Sequence, residues 1–230
     1  MEIVILYEDA DILVCEKPAG IASQGTHTLR IDLSDLLKSH IQKKEGIRNP
    51  YLGIVHRLDQ PVGGVMVYAK TKQAAGELSR QISAQQMKKT YYAVLTKKPE
   101  ESGVLVDYIW KDGRTNMSFV AEEKEKAKKE AKKAELSYKI LRSIKKDSEE
   151  LWLVEVNLKT GRHHQIRVQF AHFGCPLWGD NKYNPQIDIQ VQKDLGLFAY
   201  QLEFKHPKTK KNCCYQVQPK SGIFSCFFEK

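Results

Sequence analysis

The sequence predicts an α+β fold: a single domain with a central mixed, largely antiparallel sheet flanked by helices and loops. Two observations lead to this class. Strand-like segments outnumber helical ones, and the two kinds are interspersed without the regular strand–helix–strand alternation of a parallel sheet. No linker rich in Pro, Gly or Ser divides the 230 residues, so we expect one domain over residues 1–230.

The chain opens with a predicted hairpin followed by an amphipathic helix. Residues 2–20, EIVILYEDADILVCEKPAG, contain two β-rich runs joined by an acidic turn and closed by Pro-Ala-Gly. Residues 32–45 then predict a helix with Asp32 as its N-cap and Gly46 as its stop. Its apolar face holds Leu33, Leu36, Leu37 and Ile41.

A second helix and a strand follow in the first half of the chain. Thr71 can cap a helix whose apolar face holds Ala74, Ala75, Leu78 and Ile82. Residues 88–98, KKTYYAVLTKK, predict a strand in which Tyr91 and Tyr92 face opposite sides. We therefore expect only one of these tyrosines to enter the core or a site.

The second half predicts three strands and a short helix. Residues 151–158 alternate, so that Trp152, Val154, Val156 and Leu158 point one way, as in a half-buried strand with one face in the core. Residues 163–174 predict a helix that stops at Gly174 and has one apolar face, formed by Ile166, Phe170 and Phe173. Residues 195–207 and 211–219 supply two more strands across the turn HPKTKK.

Composition favours an anionic partner. The 37 Lys and Arg residues against 28 Asp and Glu give a net charge of +9, as expected for a protein that binds nucleic acid. Residues 121–135 do not explain this charge, because their six lysines face five glutamates. Their i,i+4 spacing, as in Glu122 with Lys126 and Glu125 with Lys129, predicts a solvated charged insertion, either a helix or an ionic loop.

Other classes of protein are disfavoured. Five cysteines without CxxC spacing argue against a disulfide framework or a zinc ribbon. The sequence has no apolar run long enough to span a membrane, and acidic residues interrupt the first apolar stretch, which is unlike a signal peptide. We therefore expect a soluble cytoplasmic protein.

The polar cluster HRLD, residues 56–59, lies between two apolar runs. If the backbone is extended there, Arg57 and Asp59 project to the same side, and the guanidinium keeps the carboxylate ionised. A structural salt bridge at a strand end is the alternative. Gly63 and Gly64 favour a functional site, because glycine allows close approach of a ligand.

A second cluster, TGRHHQIR, occupies residues 160–167. On a helix beginning near His163, Arg167 lies one turn further along the same face, which makes it a cation on a rigid element. His163, His164 and His172 suggest a metal site, but none of them pairs at the i,i+4 spacing that places two imidazoles around zinc. We expect hydrogen-bonded or surface histidines instead.

These residues resemble those of the RluA-type pseudouridine synthases, which isomerise uridine in structured RNA from an N-glycoside to a C-glycoside. Seven motifs carry the resemblance, in the family's order and over nearly the whole chain. They are YEDADILVCEKPAG at 7–20, HRLD at 56–59, VYAKT at 67–71, KTYYAV at 89–94, TGRHHQIR at 160–167, GCPLWGDNKY at 174–183 and FAYQLEFKHP at 198–207.

The resemblance implies roles for five residues. Asp59 would be the catalytic aspartate, and Arg57 would contact the RNA near the flipped base. Tyr91 would pack against the target uracil and take part in proton transfer. Arg167 would pair with Asp59 and hold it ionised. Leu197 would line the apolar wall of the same pocket.

The resemblance also sets expectations for partners and cofactors. The reaction is redox-neutral and transfers no outside group, so neither a cofactor nor a metal is expected. The partner would be structured RNA, either rRNA or tRNA, and no membrane. We expect a monomer that lacks the family's small amino-terminal RNA-binding module.

One departure from the family pattern keeps an alternative open. The triplet Val62, Gly63 and Gly64 stands where a Thr-Ser-Gly-like triplet is common, which leaves the loop geometry and the substrate preference open. The alternative is a noncatalytic RNA-binding protein that has kept the fold. A metal nuclease built on His163, His164 and Asp180 is a third hypothesis, and it lacks a credible ligand set.

Overall fold

Strands dominate the computed structural model, which describes residues 3–25, 31–123, 130–146, 149–184 and 194–228. The strands in these ranges are β1 (Ile5–Glu8), β2 (Ile12–Lys17), β3 (Gly53–Ile54), β4 (Gly63–Ala69), β5 (Lys88–Leu95), β6 (Ser102–Asp112), β7 (Met117–Val120), β8 (Lys132–Lys146), β9 (Glu149–Leu158), β10 (Leu197–Lys205) and β11 (Asn212–Gln216). The helices are α1 (Leu33–Glu45), α2 (Lys72–Ser83), α3 (Gln165–His172) and α4 (Ser225–Phe228). This content confirms the predicted α+β class.

The chain divides into two units. Unit 1 comprises Met1–Lys89 and Ala199–Gln218, and unit 2 comprises Thr90–Phe198 and Pro219–Lys230. Unit 1 is therefore assembled from two stretches that are far apart in the sequence. The expectation of a single domain stays a prediction.

The sheet of unit 1 has the strand order β1-β2-β4-β10, with β3 beside β4 and β11 beside β10. Both predicted hairpins are confirmed, since β1 with β2 and β10 with β11 are antiparallel pairs. Strands β2 and β4 pair from Ile12 opposite Ala69 to Lys17 opposite Gly64. Every residue of β4 is buried, which explains its continuous apolar run.

Helix α1 forms as predicted because both of its ends are capped. The Asp32 side chain accepts a hydrogen bond from the Asp35 backbone N–H, and the Asp35 side chain accepts one from the Asp32 N–H in return. Gly46 ends the helix with φ of 70°, a left-handed conformation that favours glycine. The buried face includes Leu33, Leu37 and Ile41, and Leu36 is half-buried.

Helix α2 begins at the predicted cap, where Thr71 Oγ1 accepts from the Ala74 N–H at 3.1 Å. Its Gln81 is fully buried and bonds the backbone of Lys205 twice. The Gln81 Nε2 donates to the Lys205 carbonyl at 2.8 Å, and the Lys205 N–H donates to Gln81 Oε1 at 2.9 Å. Because these residues are 124 positions apart, this amide joins the two stretches of unit 1.

A buried carboxylate fixes α1 to the first hairpin. The Glu8 side chain is 4% exposed and binds Lys70 at 2.8 Å and Lys44 at 2.7 Å, with His40 at 3.0 Å. Lys70 also contacts Glu45. Burial raises the pKa of Glu8, but the hydrogen bonds from these cations prevail and lower the pKa to about 2.

The sheet of unit 2 has the order β5-β9-β8-β6-β7, with antiparallel pairs β9–β8, β8–β6 and β6–β7. The predicted boundaries of the charged insertion at residues 121–135 are wrong at the carboxyl end. Residues 132–135 belong to β8 and pair with β6, with Ala134 fully buried. The two i,i+4 pairs predicted within the insertion include residues outside the described ranges.

The predicted burial alternation of β9 is only partly observed, and its partner β8 carries a bulge. Ile140 lies opposite Val154 and Arg142 opposite Leu153, which leaves one extra residue in β8. The two neighbours Leu153 and Val154, on opposite faces of β9, are both buried, whereas Trp152 and Leu158 are only half-buried. The predicted buried side is therefore wrong for Trp152 and Leu158 and correct for Val154 and Val156.

Helix α3 is shorter at its start than predicted. It begins at Gln165, and His164 precedes it with φ of 53°. His163 thus lies outside the helix rather than one turn below Arg167. Phe173 is 42% exposed, not buried with Ile166 and Phe170, because the helix has ended at the preceding residue.

Candidate active site

The HRLD cluster lies on the irregular segment between β3 and β4. Leu58 is buried, whereas Arg57 is exposed and Asp59 is half-buried. This pattern agrees with the predicted alternation of an extended backbone. The Asp59 carbonyl accepts from the Val62 N–H at 3.0 Å, which closes a turn directly after the cluster. The segment therefore holds a partly exposed Asp59 on a defined backbone.

The segment that follows β2 holds this cluster by hydrogen bonds on both sides of Asp59. On one side, Ser23 Oγ donates to the Leu58 carbonyl at 2.8 Å and accepts from the Leu58 N–H at 3.1 Å. On the other side, the Gln60 carbonyl accepts from the Gly20 N–H at 2.8 Å and from Lys17 Nζ at 3.1 Å. The end of the first family motif and the residues after it are thus hydrogen-bonded to the segment that carries HRLD.

Lys17 is a site residue that the sequence reasoning missed. It is fully buried at the end of β2, where its Nζ also donates to the Pro18 carbonyl at 2.9 Å. Burial lowers the pKa of Lys17 to about 8, and the nearby Asp59 carboxylate acts in the opposite direction. Near neutral pH a buried ammonium thus lies close to Asp59. The signal available was a lysine at the end of a buried apolar strand.

Within the triplet Val62-Gly63-Gly64, the last residue keeps the glycine of the family pattern for a physical reason. Gly64 has φ of +127°, and a Cβ there would lie 2.2 Å from the carbonyl oxygen of Ala199 in β10. No side chain fits this approach of two backbones, so glycine is required. Val62 is buried. Gly64 is thus required for packing within unit 1, whereas the departure from the family pattern is confined to Val62 and Gly63.

His56, the first residue of the cluster, serves the backbone. Its Nε2 accepts a hydrogen bond from the Val67 N–H at 3.1 Å, so it ties the cluster to β4. Burial and the charge of Lys89 lower the pKa of His56 to about 3. A neutral imidazole suits an acceptor at this nitrogen.

Tyr91 and Tyr92 lie on β5 and are both buried, with exposures of 8% and 6%. The expectation that only one of them enters the interior is therefore wrong. The rings do alternate along the strand, but both faces of β5 are covered. On one face the Tyr92 ring lies 5.5 Å from the ring of Phe228. The role predicted for Tyr91 stays a prediction.

Arg167 is held in unit 2 by a buried ion pair with Asp180. Its Nε donates to Asp180 Oδ2 at 2.8 Å and its Nη2 to Asp180 Oδ1 at 2.6 Å, and both side chains are almost fully buried. The guanidinium also lies over the Tyr183 ring, 5.3 Å from its centroid. Sequence reasoning considered Asp180 only as a metal ligand, and the pairing of Arg167 with Asp59 stays a prediction.

The two adjacent histidines take part in the same framework. The His163 and His164 rings stack at 3.8 Å, His163 Nδ1 bonds Ser118 Oγ at 2.8 Å, and His164 Nδ1 bonds Tyr183 Oη at 2.7 Å. Burial, followed by the charge of Arg167, lowers the pKa of His164 to about 3. In the part of the chain that the structure describes, no group of His, Cys, Asp and Glu is arranged to hold a metal.

Leu197 opens β10 and is buried, with an exposure of 5%. The preceding Gly196 is bonded on both sides, because its carbonyl accepts from the Val94 N–H and its N–H donates to the Trp178 carbonyl. Of the five predicted site residues, Arg57 and Asp59 share one segment of unit 1, whereas Tyr91, Arg167 and Leu197 belong to unit 2.

Comparison with known proteins identifies the family. The model of the RNA pseudouridylate synthase family matches residues 11–172. An uncharacterized RNA pseudouridine synthase of Aquifex aeolicus is 34% identical over 93% of this chain and 68% of its own length. The chain therefore belongs to the RNA pseudouridylate synthase family, and the family predicted from the seven motifs is confirmed.

Two further relatives carry more specific names. Ribosomal large subunit pseudouridine synthase D of Nitrosomonas europaea is 32% identical over 88% of this chain and 58% of its own length. tRNA pseudouridine synthase C of Vibrio cholerae is 29% identical over 90% and 87%. The chain spans 58 to 68% of the length of the first four relatives.

The fold is also found in a solved structure. Human RNA pseudouridylate synthase domain containing 4 superposes with a TM-score of 0.77 at 24% identity, covering 97% of this chain and 92% of that one. This likeness supports the fold assignment. Among the described residues, none of the helices is both long and apolar enough to cross a membrane.

Proposed function

We propose that this protein isomerises specific uridines in rRNA or tRNA to pseudouridine, with Asp59 as the catalytic carboxylate. One observation carries the proposal. A half-buried carboxylate is presented by a segment that is hydrogen-bonded on both sides, with a buried ammonium nearby, in a chain of the RNA pseudouridylate synthase family.

The reaction breaks the bond between the sugar and a ring nitrogen, turns the base and rejoins it through carbon. It requires a carboxylate that acts as nucleophile or base, and such a group must be ionised at neutral pH. The Lys17 ammonium favours the ionised form of Asp59. We also propose that Arg167 is a second cation beside Asp59. The orientation of its guanidinium is already fixed by Asp180.

The target base must leave its stack, which costs a few kcal/mol and must be offset by new contacts. Arg57 is exposed and suited to bind the phosphate backbone near the flipped base. Tyr91 and Leu197 are proposed to contact the extruded uracil, one through its ring and the other as apolar wall. No step in this scheme calls for a cofactor or a metal.

The proposed substrate class follows from relatives and charge. One relative is named for the large ribosomal subunit and another for tRNA. The net charge of +9 suits a polyanion, so binding should weaken steeply as salt is added. We also propose that the protein is cytoplasmic, where it would encounter rRNA and tRNA, and that it is a monomer.

The test uses total RNA from a strain that lacks the gene. Purified wild-type protein should introduce pseudouridine at defined positions, detected by mass spectrometry and site mapping. Asp59→Asn should bind the same RNA and yield no product, because the amide is neither nucleophile nor base. Glu203→Gln is the control, because it removes a half-exposed carboxylate from the same unit, and this variant should remain active.

Two results would contradict the proposal. Full activity of Asp59→Asn would show that another group supplies the chemistry. Tight RNA binding by the wild type without any product, across rRNA and tRNA, would leave the noncatalytic RNA-binding protein as the better description.

A further inference from the structure

Ser23 has a buried hydroxyl whose two shortest hydrogen bonds go to the residue before Asp59, with Met66 Sδ further away at 3.6 Å. It is 3% exposed, and its Oγ bonds both the N–H and the carbonyl of Leu58, which lies 35 positions further along the chain. One side chain thus provides partners for both backbone polar groups of a buried residue. Such groups are costly to leave without partners.

These contacts bear on the direction of the Asp59 side chain. That direction depends on the two peptide planes that flank the Asp59 Cα. The plane before it contains the Leu58 carbonyl, which Ser23 holds. The plane after it contains the Asp59 carbonyl, which the Val62 N–H holds. Ser23 therefore supplies the restraint that the local turn cannot.

Ser23 is itself anchored to the core of unit 1. Its carbonyl accepts from the hydroxyl of Tyr68 at 3.3 Å, and Tyr68 is a fully buried residue of β4. The Gln60 side chain also donates to the Gly20 carbonyl at 3.0 Å, which fastens the residue directly after the cluster to the same segment as Ser23. The restraint on Leu58 is therefore tied to the sheet.

We propose that Ser23 is a positioning residue that orients Asp59 for reaction. This inference rests on the proposed function of Asp59. Without the hydroxyl, the Leu58 N–H and carbonyl lose their partner, and the peptide plane before Asp59 is free to rotate. A displacement of about 1 Å in a reacting group can reduce the rate by about 100-fold without weakening substrate binding.

The kinetic test compares Ser23→Ala with Thr71→Ala. Both changes remove a hydroxyl that accepts a backbone N–H within unit 1, but Thr71 caps α2. On total RNA lacking the modification, Ser23→Ala should lower kcat by about 10- to 100-fold with KM within about twofold. Thr71→Ala should keep the wild-type kcat. Equal kcat values for the two variants would overturn the inference.

A second readout does not depend on catalysis. The Leu58 amide should be protected from hydrogen exchange in the wild type, measured by NMR, and should exchange at least about tenfold faster in Ser23→Ala. If Ser23→Ala does not fold, the wild-type rate decides: exchange as fast as an exposed loop amide would overturn the inference. A wild-type protein that forms no pseudouridine contradicts the proposed function instead, whereas an active wild type with a fully active Ser23→Ala contradicts only this inference.

Discussion

Replacing Asp180 by Asn should destabilise the protein strongly, because Asp180 neutralises the buried Arg167. The Asp180 side chain has no exposed surface, and that of Arg167 is 6% exposed. Asp180 accepts four hydrogen bonds, two from the guanidinium and two from the backbone N–H groups of Lys182 and Tyr183. Asn presents an NH₂ group towards a guanidinium that can only donate, so at least one of these bonds is lost.

The expected loss in the free energy of unfolding is about 3–5 kcal/mol, the usual cost of removing one partner of a buried ion pair. Urea unfolding followed by circular dichroism measures it. Glu150→Gln, on the exposed start of β9, is the control and should change stability by less than about 0.5 kcal/mol. A double variant, Arg167→Met with Asp180→Asn, should be more stable than the sum of the single changes predicts.

The reasoning would be refuted by a small effect. If Asp180→Asn lost less than about 1 kcal/mol, the pair would be solvated rather than buried. If the double variant were simply additive, the two side chains would not interact in solution, and the orientation of Arg167 would need another cause.

Three further predictions concern unit 1. The Glu8 pKa of about 2 lies below its ordinary 4.5, so Glu8 contributes stability above pH 4.5 that is lost as the pH falls towards 2. Urea unfolding should therefore show that Glu8→Gln costs about 3 kcal/mol at pH 7 and less in acid. A deficit that stays constant with pH would contradict this. Gly64→Ala should lower the free energy of unfolding by at least about 3 kcal/mol, because the new Cβ would meet the Ala199 carbonyl. The control Gly76→Ala, in the open interior of α2, should stabilise the protein by up to about 1 kcal/mol. Equal melting temperatures for the two variants would count against the close approach at Gly64. The Lys17 pKa of about 8 lies below its ordinary 10.5, so the unfolded chain binds more protons than the folded protein between these two pH values. The stability of the wild type should therefore rise with pH across this range, and Lys17→Met should lack the rise. Identical pH profiles of stability would argue against a buried ammonium.

The sequence was sufficient to predict those helix ends that are fixed by residues close by in the chain. The ends of α1 follow from Asp32 and Gly46, which act on backbone groups within a few residues. The start of α2 follows from Thr71 for the same reason. The family motifs were equally informative about the class of protein, since their order along the chain is itself a sequence property.

Contacts between distant segments could not be predicted from periodicity. The alternation of β9 predicts burial of Trp152, but Leu151 and Leu153 on the opposite face are the buried residues there, because burial depends on what packs against each face of the sheet. Both Tyr91 and Tyr92 are buried because β5 is covered on both faces, which no single strand reveals. The charged run at residues 121–135 predicts one insertion, although its last four residues pair with β6.

The candidate site shows the same division. The carboxylate of Asp59 was indicated by its motif, but its buried neighbour Lys17 comes from a strand more than forty residues earlier. Asp180 was named only as a possible metal ligand, because the pairing of Arg167 with a residue thirteen positions later depends on how the chain returns after α3. Ser23 gave no sequence signal at all.

The division of unit 1 into two stretches has a consequence for synthesis on the ribosome. When the first 89 residues have emerged, Gln81 still lacks the Lys205 backbone that it bonds, and the β4 edge at Gly64 still lacks β10. A nascent chain must therefore carry an incomplete first unit, in which the Gln81 amide and a sheet edge are open to water or chaperones, until residues 199–218 have been translated.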